Sequence, residues 1–195
     1  SHPKPLDIQI TVTESGLDCD IRGAGELSMD ARMGLSDCAI AHDLARITVA
    51  GDLVLERRPP ILTFGAAKVT LPPAGFLQAT KAGEEILAGL VFEAVGDAKK
   101  VADLYCGIGP FSLRLADHCQ VAAFDSDEAA ITALTGAAHR IQGQKPVTAQ
   151  VRDLIHNPLH ATELKGFDAV VFDPPRAGAE SQAIEIAQSK VPTVV

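Results

Sequence analysis

The chain has no initiator methionine, no Cys-x-x-Cys pair and no internal repeat or low-complexity tail. It opens on Ser1-His2-Pro3, which reads as an internal start or a cloning scar. A signal peptide would need a basic start followed by an apolar run. No apolar stretch approaches the roughly 18 residues that suggest a membrane span, so a soluble, cytoplasmic protein is expected. The four cysteines, Cys19, Cys38, Cys106 and Cys119, stand singly. That spacing argues against a zinc ribbon or iron–sulfur site within the chain, so no metal is expected and free thiols are. Basic residues are also in deficit, 17 against 25 acids, for a net charge of −8. A chain that grips nucleic acid alone shows a basic face. Here only Arg57-Arg58, Lys99-Lys100 and Arg176 break the acidic balance, so an RNA substrate would need much of its grip from elsewhere.

What is present is enough for a core. The 195 residues are 47% hydrophobic, which suits one large domain or two small ones. In the first part, Ile8, Ile10 and Val12 alternate with polar residues, as do Leu17, Cys19 and Ile21, around a Glu14-Ser15-Gly16 turn. This predicts a β-hairpin. Leu27 to Ala45 reads as helical despite Gly34, and short strands are expected at Arg46–Ala50, Leu53–Glu56 and Ile61–Thr70, the last folded back at Gly65-Ala66. Residues 1–74 thus form an expected small α+β domain, and 75–195 a second domain of different texture.

That second part opens with a predicted helix from Lys81 to Val95, capped by Thr80, with Ile86, Leu87, Leu90 and Val91 on one face. Apolar strands then alternate with helices: strands at Val101–Cys106, Gln120–Phe124, Val147–Val151, Phe167–Phe172 and Pro192–Val195, and helices at Pro110–His118, Glu128–Gln142 and Glu180–Lys190, with Leu159–Leu164 at most a short helix. Such alternation specifies an α/β fold with a parallel sheet covered on both faces.

In these sheets ligands bind beyond the carboxyl ends of the strands. After the first strand comes Asp103-Leu104-Tyr105-Cys106-Gly107-Ile108-Gly109-Pro110, where two glycines permit a tight turn and close backbone approach, and the helix that follows offers its amino end. A glycine pair alone also suits a turn made tight for steric reasons. Asp125 ends the second strand, placed to accept from both ribose hydroxyls, or to cap the next helix, which Ser126 or Asp127 would do better. Asp153 and Asp173 end the third and fourth strands. A dinucleotide fingerprint would place glycine where Ser112 stands, and Pro110 disturbs the loop. Asp103 suits a cationic ligand, which favours S-adenosyl-L-methionine over NAD. The fourth strand runs into Asp173-Pro174-Pro175-Arg176, a rigid turn able to hold its acid and arginine at a reacting centre.

The run Asp103 to Leu113, the run Asp173-Pro174-Pro175-Arg176-Ala177-Gly178 and Phe76-Leu77-Gln78 together resemble the bacterial RNA uracil-5-methyltransferases, which form 5-methyluridine in ribosomal and transfer RNA. The likeness covers Pro72 to the end strongly and the hairpin module loosely. It implies a class I methyltransferase Rossmann-like sheet, truncated after about its fifth strand in the order 3-2-1-4-5-7-6. It also implies S-adenosyl-L-methionine contacts from Gln78, Tyr105, Gly107, Gly109, Pro110, Asp125, Asp153 and Asp173, with Arg176 positioning substrate. Pro110 departs from the usual Asn or Thr, and Asp125 from the usual Glu.

The family's chemistry adds a cysteine thiolate to carbon 6 of uracil, so that carbon 5 attacks the methyl group and a base then removes the carbon 5 proton. The resemblance places that cysteine just after the fifth strand, in a Ser-Cys-Asn-Pro run, with the base further on and any cluster ligands upstream of Ser1. The expectation is therefore a chain that binds cofactor and lacks its own nucleophile, Cys106 having no such role. It would be inactive alone, with RNA as the partner of the whole protein and self-association through an exposed fifth strand. A methyltransferase acting on protein or a small molecule, or a non-catalytic cofactor- or RNA-binding remnant, are the alternatives.

Overall fold

The computed structural model describes residues 5–195; the Ser1-His2-Pro3 start lies outside the described residues. The chain forms two compact units, one of the described residues up to Leu62 with Thr70–Gly75, the other of Thr63–Val69 with Phe76–Val195. Its elements in order are β1 (Asp7–Thr13), β2 (Gly16–Arg22), α1 (Met29–Ala41), β3 (Arg46–Val49), β4 (Asp52–Glu56), β5 (Ile61–Phe64), β6 (Ala67–Thr70), α2 (Lys81–Val95), β7 (Lys100–Leu104), α3 (Ser112–Leu115), β8 (Gln120–Asp125), α4 (Glu128–His139), β9 (Val147–Val151), β10 (Ala169–Phe172), α5 (Glu180–Gln188) and β11 (Thr193–Val194).

In the first unit β1 to β4 form one sheet in chain order, with β1/β2 and β3/β4 antiparallel and β2/β3 parallel. Gly16, at φ +129°, makes the hairpin turn. Residues paired directly across the hairpin share a face, and Ile10 lies opposite Cys19. Cys19, Ile47 and Ala39 of α1 form the core there. The helix leaves the edge strand bare, so Ile8, Ile10 and Val12 stay exposed. The polar positions of β2 are instead buried. Asp18 accepts from Arg46 Nε at 2.8 Å and Nη2 at 2.7 Å, and Asp20 accepts from Thr48 Oγ1 at 2.6 Å and Arg22 Nε at 2.8 Å. A buried carboxylate is tolerated only when bonded in this way.

The second unit is built on five parallel strands in the order β11-β10-β7-β8-β9. In chain order this is 3-2-1-4-5, the expected arrangement. Ala102, Leu104, Phe124 and Val170 pack on one face with Leu154, Leu159, Leu164 and Ile186. Val101 and Asp103 alternate onto the opposite face of β7, as strand geometry requires.

Two helices differ from expectation. α2 begins as predicted, with Thr80 Oγ1 accepting from the Gly83 N–H at 3.1 Å. Its inward face, however, carries Glu84, Ala88 and Val95, while Ile86, Leu87 and Leu90 are exposed. The reason is an ion pair: Arg114 Nη1 donates to Glu84 Oε1 at 2.5 Å and Nη2 to Oε2 at 3.2 Å, which makes the acid burial tolerable. The helix expected over Pro110–His118 is the single turn α3, and Leu159–Leu164 forms turns only. At the far edge Val195 continues the pairing of β11, its N–H donating to Val170 O at 2.9 Å.

Candidate functional site

The turn after β7 is the most irregular backbone in the second unit. Tyr105, Gly107 and Gly109 take φ values of +63°, +53° and +84°. The two glycines serve different ends. A Cβ on Gly109 would collide with the Leu134 side chain of α4, so this position lets the helix close on the loop; a Cβ on Gly107 would meet nothing, which leaves that stretch of backbone approachable. For Tyr105 the left-handed conformation costs about 1–2 kcal/mol, so the surroundings must hold it there.

Asp125 is one such holder. Its Oδ2 accepts from the Gly107 N–H at 2.8 Å and its Oδ1 from the Asp127 N–H at 2.9 Å. Asp127, not Asp125, caps α4, accepting from Ala129 N–H at 2.9 Å and Ala130 N–H at 3.1 Å. Asp125 therefore braces the loop through Oδ2 and its own turn through Oδ1, and each oxygen keeps a second acceptor site.

Asp103 takes a different place from the one expected. It is 1% exposed and turned to Ser112, whose hydroxyl donates to Oδ2 at 2.6 Å and whose backbone N–H adds a second bond. The carboxyl occupies the amino end of α3 and faces Ser112 rather than solvent. Burial raises it to about 7, against the lowering effect of Ser112 and with further raising by the charges of Asp173 and Asp125.

Tyr105 gives the clearest sign of a missing partner. Its hydroxyl is buried and bonded to nothing among the described residues, with its ring centroid 6.0 Å from that of Phe172. Burial pushes the phenol up, aided by the charges of Asp153 and Asp125. Buried unsatisfied groups are rare and mark strain or an absent ligand. Asp153 braces the turn after β9, accepting from the backbone N–H groups of Ile155 and His156, and its Oδ2 lies 2.7 Å from His156 Nδ1. The His156 bond is the main reason its carboxyl lies below the ordinary value.

Asp173 and Arg176 are exposed beyond β10, in a turn closed by the Gly178 N–H donating to Pro175 O at 2.8 Å. Pro110 lends its carbonyl to Arg114 Nη1 at 2.8 Å. Gln78 is half-buried in the segment leading into α2 and lies on no strand. The charges of Asp125, Asp153 and Asp173 thus bear on groups at the tip of β7, whereas Arg176 and Gln78, among the described residues, are not bonded to them. A groove of about 460 Å³ beside α2, lined by Thr63, Gly65, Lys81, Glu85, Phe92 and Arg114 among others, contains none of these residues.

The buried cysteines are poor nucleophiles. Cys19, Cys106 and Cys119 are buried and Cys38 is exposed. Burial raises the thiols of Cys19 and Cys119, and burial with the charges of Asp103 and Asp125 holds Cys106 well above the ordinary value. The native chain treated with iodoacetamide at neutral pH should take one label, on Cys38, by peptide mass spectrometry. Comparable labelling of Cys106 would show a loop more open than this.

The family model named methyltransferase small domain matches residues 79–191. The chain belongs to that family. Methyltransferases of this fold use S-adenosyl-L-methionine, and the residues here fit it: acids for its cationic and ribose groups, an approachable Gly107 backbone and an orphaned tyrosyl hydroxyl. The methyltransferase chain is 46% identical over 191 residues to a Brucella melitensis protein named as an uncharacterized RNA methyltransferase, with 98% of this chain and 46% of that one covered. It is 34% identical over 137 residues to the 23S rRNA uracil-C5-methyltransferase RlmD of Halomonas elongata, covering 64% of this chain and 28% of that one. The chain spans about half the length of the curated relatives it matches. A solved structure of Pyrococcus abyssi tRNA (uracil-54, C5)-methyltransferase with S-adenosyl-L-homocysteine superposes at a TM-score of 0.69, with 21% identity, over 96% of this chain and 48% of that one; at that identity the likeness is one of fold.

Proposed function

We propose that this chain is the cofactor-binding part of an RNA uracil-5-methyltransferase, with residues 75–195 as its S-adenosyl-L-methionine domain. The observation that carries the cofactor half is the buried, orphaned Tyr105 hydroxyl, on which the charges of Asp153 and Asp125 bear. The reading of the substrate rests on the Asp173-Pro174-Pro175-Arg176-Ala177-Gly178 run with Phe76-Leu77-Gln78, and the names of the relatives support it.

In this reading the cofactor supplies an electrophilic methyl group. Asp125 accepts from the ribose hydroxyls while bracing Gly107. Tyr105, Asp153 and Gln78 border the nucleoside, and Gly107 to Pro110 line the approach with backbone. Asp173 offers its exposed carboxylate to the cationic end, and Arg176 lies beside it in the same turn, ready to orient an anionic or carbonyl-bearing substrate. Attack on carbon 6 of uracil requires a thiolate. The three buried thiols are held protonated. The resemblance assigns the nucleophile of this reading to a Ser-Cys-Asn-Pro run, and the base to a later segment, that these 195 residues do not carry.

Deletion of the encoding gene, followed by mass spectrometry of nucleosides from ribosomal and transfer RNA, tests the substrate. One 5-methyluridine should vanish, and reintroduction of the gene should restore it. An unchanged 5-methyluridine content, or loss of a base methylated on nitrogen, would assign the chain to a different reaction.

A further inference from the structure

The carbonyl of Pro110, at the far end of the cofactor loop, is held by a side chain. Gly109 O accepts from the Leu113 N–H at 3.0 Å and Phe111 O from the Arg114 N–H at 3.1 Å, but among the described residues no backbone N–H reaches Pro110 O between them. Its donor is Arg114 Nη1, at 2.8 Å. The same guanidinium is fixed on two further sides. Glu84 in the first turn of α2 takes it in a two-pronged ion pair, Nη1 to Oε1 and Nη2 to Oε2. The Phe64 ring, at the end of β5, lies with its centroid 5.4 Å from Cζ. We propose that Arg114 is a positioning residue of the cofactor loop, which it holds in its binding conformation through Pro110, using Glu84 as its anchor. The proposal rests on the cofactor reading above and adds to it a residue that acts through the loop backbone.

The geometry favours placement over stability as the task of this pair. Desolvating two charges consumes most of their attraction, and apolar residues of like volume are often as stable or more so. A rigid guanidinium fork, by contrast, can aim an N–H at a carbonyl while it stays paired to a carboxylate. The loop needs such a hold, because Gly107 and Gly109, both at positive φ, leave its backbone intrinsically free. Arg114 also ties the loop to α2, and Gln78 lies in the segment just ahead of that helix. Two stretches that border the nucleoside in this reading thus share one anchor.

Urea unfolding and calorimetric titration with S-adenosylhomocysteine, on the native chain and on E84L/R114M, separate placement from stability. The double variant removes both charges together and keeps apolar bulk against Phe64. Its urea midpoint should match or exceed that of wild type, while its Kd for the ligand rises about tenfold, as expected for one bond from a charged donor. Equal affinity overturns the role of Arg114 and leaves the cofactor site intact. A fall of midpoint and affinity together marks a structural strut and overturns it as well. A second readout needs no variant. If ligand and Arg114 stabilise the same loop conformation, each strengthens the other by linkage. Solvent exchange of the Arg114 guanidinium protons, followed by NMR in the native chain, should therefore slow when the ligand is added. Unchanged exchange at saturation overturns the positioning role. Absence of binding in the native chain overturns the cofactor reading instead.

Discussion

Asp103→Asn should make the chain progressively more stable than wild type as pH rises from 5 to 8, by roughly 2–3 kcal/mol over that interval. The carboxyl is raised from an ordinary 3.8 to about 7 in the folded chain. Between those two values the folded state holds a proton that the unfolded state has lost. Stability must therefore fall with rising pH across the window and level off above it, where both states are ionised. Below 3.8 both are protonated and the slope from this group vanishes. Asparagine keeps an acceptor for Ser112 but cannot titrate, so subtracting the two unfolding curves isolates the one group. Other carboxylates run in the opposite sense. The Arg152 guanidinium holds Glu163 down at about 2, so its stabilisation is present above the ordinary value and lost in acid, equally in both proteins. Urea unfolding without ligand at several pH values measures the difference. Parallel curves would mean that the Asp103 carboxyl is ionised throughout.

Much of the second unit was legible because its information is local. The central parallel strands are short, mainly apolar runs that no solvent-facing strand would carry, as in Val101–Leu104 and Ala169–Phe172, both buried almost throughout. The acids at the strand tips, and Thr80 and Asp127 as caps, are likewise read from a few neighbouring residues. The failures have the opposite character. Glu84 ranks below Ile86 and Leu90 on any scale of burial, yet it faces inward because Arg114, thirty residues on, reaches it from α3. The alternation of β2 suggested polar residues facing water, but Asp18 is 4% exposed because Arg46 lies opposite it on the adjacent strand. Nothing near these acids in sequence reports such a partner.

The same contrast holds at the candidate site. The glycines announced a turn, but not that Gly109 serves the packing of Leu134 while Gly107 stays open. Tyr105 carries no sign of its left-handed backbone, since nothing in a tyrosine favours that conformation. Asp103 was noticed as an acid before the turn, and its task was misread. An acid at a strand end with a serine nine residues later has a local reading, a carboxylate on the first turn of the next helix. Asp125 is left uncommitted to the cap of α4, because Asp127 takes that role next to it.

Asp125→Ala should weaken binding of S-adenosylhomocysteine by about 100-fold or more, since two bonds to a charged acceptor contribute roughly 1.5–3 kcal/mol each. The substitution also releases the Gly107 and Asp127 N–H groups from their acceptor, so a loss of affinity alone does not separate ribose recognition from loop bracing. A cycle with a second ligand does. For the 2′,3′-dideoxy counterpart of the ligand, wild type should bind as weakly as the variant binds the parent compound, and the variant should barely distinguish the two ligands. If the variant instead loses the same factor for both, Asp125 acts only by holding Gly107, and the ribose contact belongs to another residue. Asp125→Glu offers a further check. The longer side chain, usual at this position in the resembled family, still reaches ribose but is less well placed for a bond to Gly107 across the tips of adjacent strands. Retention of most of the affinity in the glutamate variant, with its collapse in alanine, would assign the dominant share to the ligand. Collapse in both would assign it to the loop.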